Sequence, residues 1–554
     1  MGETISTSSQ LVPDVLATLA QLPNDEVFTP PHLVDSMLDT LPKEVWTNHT
    51  YRWLDPATKS GVFLRQVAQR LMVGLSSWET DPLKRREHIL KNMLFGAAAT
   101  SLAGELARRS LYQTTDATGK SIKDASIKSL VVAMDDPNGN IHFVETEHTI
   151  KKGKCEICRA PESLIRDRRE NFAYSFIHKT YPTKEMQDMK FDVIVGNPPY
   201  QIGMEDSNGN RTANVTPLYN LFVDQALALN PRYLVMITPS RWFAGGKALD
   251  DFRSRMLNDR RIKEIVDFAN GREIFPTVNV EGGISYFLWD RDYQGDCLFT
   301  QMSDGQIVSK ARRDLRDGKG VILRDNYASG IVKKISSDPD SKGSLAESFS
   351  ASDPFGQSIK TNFKDSKPEP FNDSIPLIYV NKVGFITRNQ LQRNHDWVDH
   401  WKVLLPKAYG NGSNQDSKQV IGEPIALAPG SACTQSYFVA GRFITRQETE
   451  NFARYLTTKF VRFLVAQRKI SQDITQSRFL FVPGLDMTKT WDDPTLYKKF
   501  ALSSEEIAYI EKSIGDRDWI DSLDSPIPAT HLPGGRKYKA GEAPVEADED
   551  EDDE

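Results

Sequence analysis

The most constraining feature of this chain is an apolar segment that runs without a break into a proline-locked turn, Phe191-Asp192-Val193-Ile194-Val195-Gly196-Asn197-Pro198-Pro199-Tyr200. A short run this apolar, followed by turn residues, reads as a buried strand of a parallel sheet. Each proline fixes its own φ and restricts the residue before it, so Asn197 and the Pro198 carbonyl are held still. The expectation is a rigid, exposed turn at the carboxyl edge of a sheet, where open α/β sheets bind ligands. The Asn197 side-chain oxygen and the Pro198 backbone carbonyl can both accept hydrogen bonds from one planar amino group on an aromatic ring. Drawing both protons toward acceptors shifts that nitrogen toward tetrahedral geometry and frees its lone pair. Tyr200 offers an aromatic face for the ring to stack on. A plain Pro-Pro turn after a strand is the alternative, and the surroundings decide between the two.

From residue 50 to about 295, short apolar segments alternate with longer amphipathic ones, as a parallel α/β sheet requires. The predicted strands are Tyr51–Leu54, Met93–Ala97, Phe191–Val195, Tyr233–Thr238, Ile262–Phe268 and Ile284–Trp289. An insertion at 115–190 separates the second from the third and is too long for a bare loop. Beyond residue 310 the text changes to mixed turns, Ser/Asp/Lys-rich linkers and the Gly-rich stretch Tyr409–Asn414, which reads as a separate α+β domain over 311–520. Its last helix, Ser503–Ile514, opens on a Ser-Ser-Glu-Glu capping box. The region 521–554 reads as a disordered acidic tail.

Two upstream segments add to the turn. Trp53-Leu54-Asp55-Pro56-Ala57-Thr58-Lys59-Ser60-Gly61-Val62 reads as a strand, a tight turn of small residues and the start of a helix. Phe28-Thr29-Pro30 precedes an amphipathic helix beginning near His32. With these in place, the chain resembles the gamma class of N6-adenine DNA methyltransferases, in the restriction–modification branch with long C-terminal halves. The motifs follow the family's order, and the match spans residues 25 to about 295.

The resemblance implies a doubly wound, Rossmann-like methyltransferase domain over 1–310 and a target-recognition domain over 311–520. It implies that S-adenosylmethionine is held by Phe28, Thr29, Pro30, Asp55, Pro56, Ala57, Ser60 and Gly61, and that Asn197, Pro198, Pro199 and Tyr200 carry catalysis. Glu273-Ile274-Phe275-Pro276 resembles the segment whose phenylalanine packs on the extruded adenine, so Tyr200 and Phe275 are expected to clamp the base. Ser240-Arg241-Trp242 resembles the turn that follows the next strand. The implied reaction is direct methyl transfer to adenine N6 in double-stranded DNA, with no covalent enzyme intermediate.

The cofactor turn departs from the family pattern at Thr58 and Lys59, where Cys and Gly are usual. A glycine lost from a tight loop can forbid a required positive φ. The second strand ends near Thr100, where relatives place an acid for the ribose hydroxyls, and Glu105 sits on the following helix. These departures keep open a DNA-binding relative that has lost cofactor binding. Asn-Pro-Pro-Tyr also serves enzymes that methylate protein amides or RNA guanine. Those are shorter and carry their accessory domain first, which favours DNA here.

Inside the insertion, His148-x6-Cys155-x2-Cys158 is followed by His178. Cys-x2-Cys brings two thiolates to one tetrahedral zinc ion, and the histidines are candidates for the remaining ligands. The alternatives are satisfied core histidines and a redox pair, but no thioredoxin-like context surrounds the cysteines. Nearby Arg166, Arg168 and Arg169 are candidate phosphate contacts, as are Arg442, Arg446, Arg462, Arg468 and Lys469 in the C-terminal half.

The net charge of −6 reflects the eight acidic groups of Glu546–Glu554, without which it is +2. Net charge therefore neither demands nor excludes nucleic acid. Four cysteines in 554 residues argue against a disulfide framework. No apolar run is long enough for a membrane span and no secretory leader is evident, so a cytoplasmic protein is expected. No endonuclease motif stands out, so any restriction partner is expected to be a separate chain.

Overall fold

The computed structural model describes residues 29–516 apart from breaks at 130, 163–173, 181–187, 203–215, 247, 277–279, 281, 342, 381, 408–419 and 469–474, together with 531–532 and 536–537. Phe28, Arg166, Arg168, Arg169, Lys469, the Gly-rich stretch and the tail read over 521–554 lie outside the described residues, except for the paired strands His531–Leu532 and Arg536–Lys537. The chain divides into two compact units, Met1–Arg324 and Asp325–Glu554.

The first unit is built on a nine-stranded sheet. In chain order its strands are β1 Trp53–Thr58, β2 Leu94–Ala98, β3 Ile141–His142, β4 Val193–Gly196, β5 Tyr233–Pro239, β6 Ile262–Phe268, β7 Ile284–Asp290, β8 Cys297–Ser303 and β9 Gln306–Arg313. Their spatial order is β9-β8-β6-β7-β5-β4-β1-β2-β3. From β3 to β5 all neighbours are parallel, while β7 runs antiparallel to both β5 and β6. The order reverses direction between β1 and β4, leaving a crevice beyond their carboxyl ends.

Alternation along the strands explains the layering. Trp53, Val193, Val195, Val235 and Ile237 enter one hydrophobic cluster, while Leu54, Ile194, Leu234 and Met236 enter another. Neighbouring residues on a strand point to opposite faces, so both faces of the sheet are apolar and both need cover. Helices α1 (Pro31–Leu38), α2 (Val62–Gly74) and α3 (Ser101–Tyr112) supply Met37, Val67 and Leu111 to the first cluster. Helices α4 (Ser175–His178), α5 (Tyr219–Ala228) and α6 (Asp250–Asn258) supply Phe176, Phe222 and Met256 to the second.

The expected strands are all present, with shifted ends. Three further strands join the nine-stranded sheet. β3 lies inside the segment read as an insertion, and its two residues are too few to show a period. β8 and β9 extend the first unit past residue 310 to Arg324.

The second unit is α+β. One small sheet joins Ser374–Ile378, Val383–Thr387 and Ala432–Cys433, and another joins Trp401–Pro406, Ile425–Leu427 and Tyr437–Phe443. Its helix Ser504–Ser513 carries the expected capping box, with Ser503 and Glu506 bonding each other's backbone. The basic series there is not a stripe. Arg462 is buried at 2% exposure, with Nε donating to the Thr457 carbonyl 3.0 Å away. Arg442 lies over the Trp397 ring at 4.0 Å, and Arg446 pairs with Glu450. Arg462 therefore cannot touch phosphate, because α-helical spacing turns part of a basic series inward.

Candidate active site at the β1–β4 crevice

The two central strands deliver both key segments to one place. Trp53 and Leu54 pair with Val193 and Ile194, and the Asp55 carboxylate lies against Gly196, so the Asn197 turn begins beside the Asp55–Gly61 turn. Gly196 permits this approach: a Cβ there would sit 3.0 Å from the Asp55 carboxylate oxygen.

The turn after β1 is shaped by its own side chains. The Asp55 carboxylate accepts from the Ala57 N–H at 3.1 Å, and the Thr58 hydroxyl donates to the Asp55 carbonyl at 2.9 Å. The left-handed position falls on Gly61, with φ 75°, which is the N-cap of α2. Lys59 is absent from the positive-φ residues, so the loop needs no glycine there and the replacement is tolerated. Thr100 is the N-cap of α3, its hydroxyl accepting from the Ala103 N–H at 3.1 Å. Its role in the structure is to end β2 and start a helix.

The Asn197 turn is buried, contrary to the expected exposure: Asn197 is 3% exposed and Pro198, Pro199 and Tyr200 are buried with it. The cover is the N-terminal segment. Asn197 Nδ2 donates to the Thr29 hydroxyl at 3.0 Å. Thr29 and Pro30 are held by α1, which Arg70 and Gln66 of α2 fasten through Asp35, with a second Arg70 bond to Asp39. With the amide nitrogen committed to Thr29, Oδ1 is the accepting side of Asn197.

A cleft joins these pieces, lined by Thr29, Asp55, Ala57, Lys59, Ser60, Gly61, Val62, Phe63 and Asn197. Five of the expected cofactor residues line it, while Pro30 and Pro56 flank it. Asp55 is fully enclosed, and burial pushes its carboxyl up to about 7 against the Ala57 bond, the Lys59 charge and Thr58, which all act downward. Burial also raises the Tyr200 phenol, against a hydrogen bond with Asn197. Tyr200 and Phe275 belong to one hydrophobic cluster and are 9% and 3% exposed. Trp242, from the turn after β5, is a core aromatic edge-on to Phe243 and Phe252.

One network near the crevice was invisible to sequence reasoning. Asp267, at the end of β6, is completely buried and takes two bonds of 2.8 Å from Arg324 and one from Ser240. Its partners lie 57 and 27 residues away, with no spacing signal linking them. It braces the two strand ends from which the Ser240 and Phe275 segments depart.

The four expected metal ligands come together. Ligand atoms of His148, Cys155, Cys158 and His178 all lie within 4.8 Å of one another. His148 Nδ1 is 3.2 Å from Cys158 Sγ, and His178 Nε2 is 4.0 Å from Cys155 Sγ. A tetrahedral zinc site has ligand–ligand separations of about 3.3–3.8 Å from its bond lengths. Burial, with the neighbouring Cys155 adding to it, pushes the Cys158 thiol up to about 12, and burial with the His148 charge pushes the His178 imidazole down to about 4. A bound divalent cation reverses the preference of the thiols. The cluster is tied to the Asn197 turn through α5: Phe176, two residues before His178, stacks on Phe222 of α5 at 5.7 Å. The Leu218 N–H that precedes α5 donates to the Tyr200 carbonyl at 3.0 Å.

Comparison with known proteins bears on this geometry. Residues 92–275 match the family described as Eco57I restriction-modification methylase. An uncharacterised adenine-specific methylase of Mycoplasma pneumoniae is 31% identical over 354 residues, covering 58% of this chain and 83% of that protein. The chain belongs to the adenine-specific methylases of restriction–modification type. Membership of a methylase family implies S-adenosylmethionine as methyl donor. Among solved structures, the type I restriction-modification methyltransferase subunit from Streptococcus thermophilus aligns at 14% identity and a TM-score of 0.31. That match covers 51% of this chain and 50% of the other, so the chain spans half that subunit's length. DrdV, solved in complex with DNA, aligns at 12% identity over 88% of this chain and 57% of its own, with a TM-score of 0.41. Among the described residues no helix is long and apolar enough to cross a membrane.

Proposed function

We propose that this chain transfers a methyl group from S-adenosylmethionine to N6 of an adenine extruded from double-stranded DNA. The observation that carries the reading is the single cleft lined by both Asn197 and the Asp55–Gly61 turn, with Thr29 bonded to the Asn197 amide. The donor set suits the cofactor: a carboxylate, an ammonium and backbone at a helix start face a molecule with two cationic centres and one carboxylate. When bound, S-adenosylmethionine supplies an electrophilic methyl group on its sulfonium.

The chain's own residues do the rest. Asn197 Oδ1 and the Pro198 carbonyl accept the two protons of the target amine, turning its lone pair toward the cleft. Thr29 fixes the Asn197 amide so that the oxygen stays on that side. Tyr200 and Phe275 hold the base once it enters between them. Both are buried, so admitting the base requires them to move apart, and stacking recovers about 1–3 kcal/mol of the extrusion cost. The second unit, from Asp325 onward, reads the DNA sequence.

The test is tritiated cofactor with mixed-sequence duplex DNA, followed by digestion to nucleosides. Label in N6-methyldeoxyadenosine supports the reading. No label on DNA, with no cofactor binding by calorimetry, would replace it with the DNA-binding relative.

The Cys155/Cys158/His148/His178 cluster holds a structural zinc ion in the same reading. About one zinc per chain by elemental analysis is expected, falling in Cys158→Ser. A metal-free chain of unchanged melting temperature after chelation would refute it.

A further inference from the structure

The chain's departure at Lys59 points to a specific task. Lys59 is 7% exposed and lines the cleft together with Ser60, Gly61, Thr29 and Asn197. Among the described lining residues it is the one cation, and Asp55 is the one anion. Its charge already acts on the Asp55 carboxylate, so the lining carries one interacting pair of opposite charges. The long, flexible lysine stem lets the charge be aimed from a turn that adopts an ordinary backbone conformation. The thirteen-residue helix α2 also begins at Val62, adding the positive end of its dipole to the same wall.

The cofactor has two cationic centres, the sulfonium and the α-ammonium, and one anionic group, the α-carboxylate. Pairing unlike charges sends the cationic centres toward Asp55 and the carboxylate toward Lys59. We propose that Lys59 binds the α-carboxylate of S-adenosylmethionine and makes this chain selective for cofactors that carry that group. This rests on the cofactor assignment above. It puts a side-chain cation where the family pattern has a glycine. A simpler role for Lys59, balancing the Asp55 charge, would operate without any cofactor and predicts no such selectivity.

The experiment is calorimetric binding by the full chain of S-adenosylmethionine and of its decarboxylated analogue, which keeps the sulfonium and the amine. Wild type should prefer the carboxylated ligand by about 10- to 100-fold, the range of a charge-assisted hydrogen bond. Lys59→Met should lose that preference, binding both ligands within about threefold of each other, while Lys59→Arg should retain most of it. An unchanged ratio in Lys59→Met overturns the inference and leaves Lys59 as a neutraliser of Asp55. Should Lys59→Met fail to fold, the wild-type ratio decides alone, and a preference below about threefold overturns it. Failure of wild type to bind S-adenosylmethionine would overturn the cofactor assignment itself, a different result from binding without selectivity.

Discussion

Gly61→Ala tests how the cofactor turn is held. Gly61 has φ +75°, and a Cβ there would lie 2.9 Å from the Ala107 Cα of α3. The left-handed conformation costs an alanine about 1–2 kcal/mol. The clash is with backbone, not with a side-chain tip, so α2 and α3 must part, which adds about 1–3 kcal/mol. The total is roughly 2–5 kcal/mol. Gly305→Ala is the control, because its φ is +71° and nothing lies within 4 Å of the added carbon. It carries the conformational cost alone. The chain has two units, so a single melting curve is ambiguous. Hydrogen exchange resolves the matter locally at the Ala99 amide, which bonds the Thr58 carbonyl at 3.1 Å. Protection there should fall far more in Gly61→Ala than in Gly305→Ala, and S-adenosylmethionine affinity should fall with it. Equal protection in the two variants would refute the tight α2–α3 packing on which the turn's shape is argued.

Asn197→Ala should lower single-turnover methylation by about 10²–10³-fold while cofactor affinity stays within about threefold by calorimetry; joint loss of both would undo the division of roles. Asp55 ionises at about 7 in the folded chain against an ordinary 3.8, so folding favours its protonated form. Its contribution to stability is therefore fully present below the ordinary value and is lost as pH rises through about 7. Bound cationic centres favour the carboxylate, so cofactor affinity should rise with pH up to about 7 and level off, and Asp55→Asn should flatten that profile in calorimetric titrations. Arg324→Met strips the buried Asp267 carboxylate of two bonds and should destabilise the first unit by about 3 kcal/mol, read by hydrogen exchange in β6. A loss under about 1 kcal/mol would show that the ion pair is dispensable.

Much of the catalytic side was legible because its signals are local. Proline geometry, an apolar strand and a run of small residues each act within a few positions, and the Ser503 capping box was read correctly for the same reason. The grouping of Cys155 and Cys158 with His148 and His178 was legible from a Cys-x2-Cys spacing that suits one metal ion. The alternation that sends Trp53 to one cluster and Leu54 to the other is likewise written in consecutive residues.

Tertiary structure alone decided the rest. A two-residue strand, β3, has no period to read, and Arg324 and Asp267 meet across 57 positions. The burial of Asn197 depends on α1 being tied down by Arg70, whose partners lie 31 and 35 residues upstream. Lys59 looked from sequence like a lost glycine. Only the folded turn shows that the positive φ belongs to Gly61 and that the lysine is enclosed in the cleft, because conformation and burial are set by what packs around a residue rather than by its neighbours in the chain.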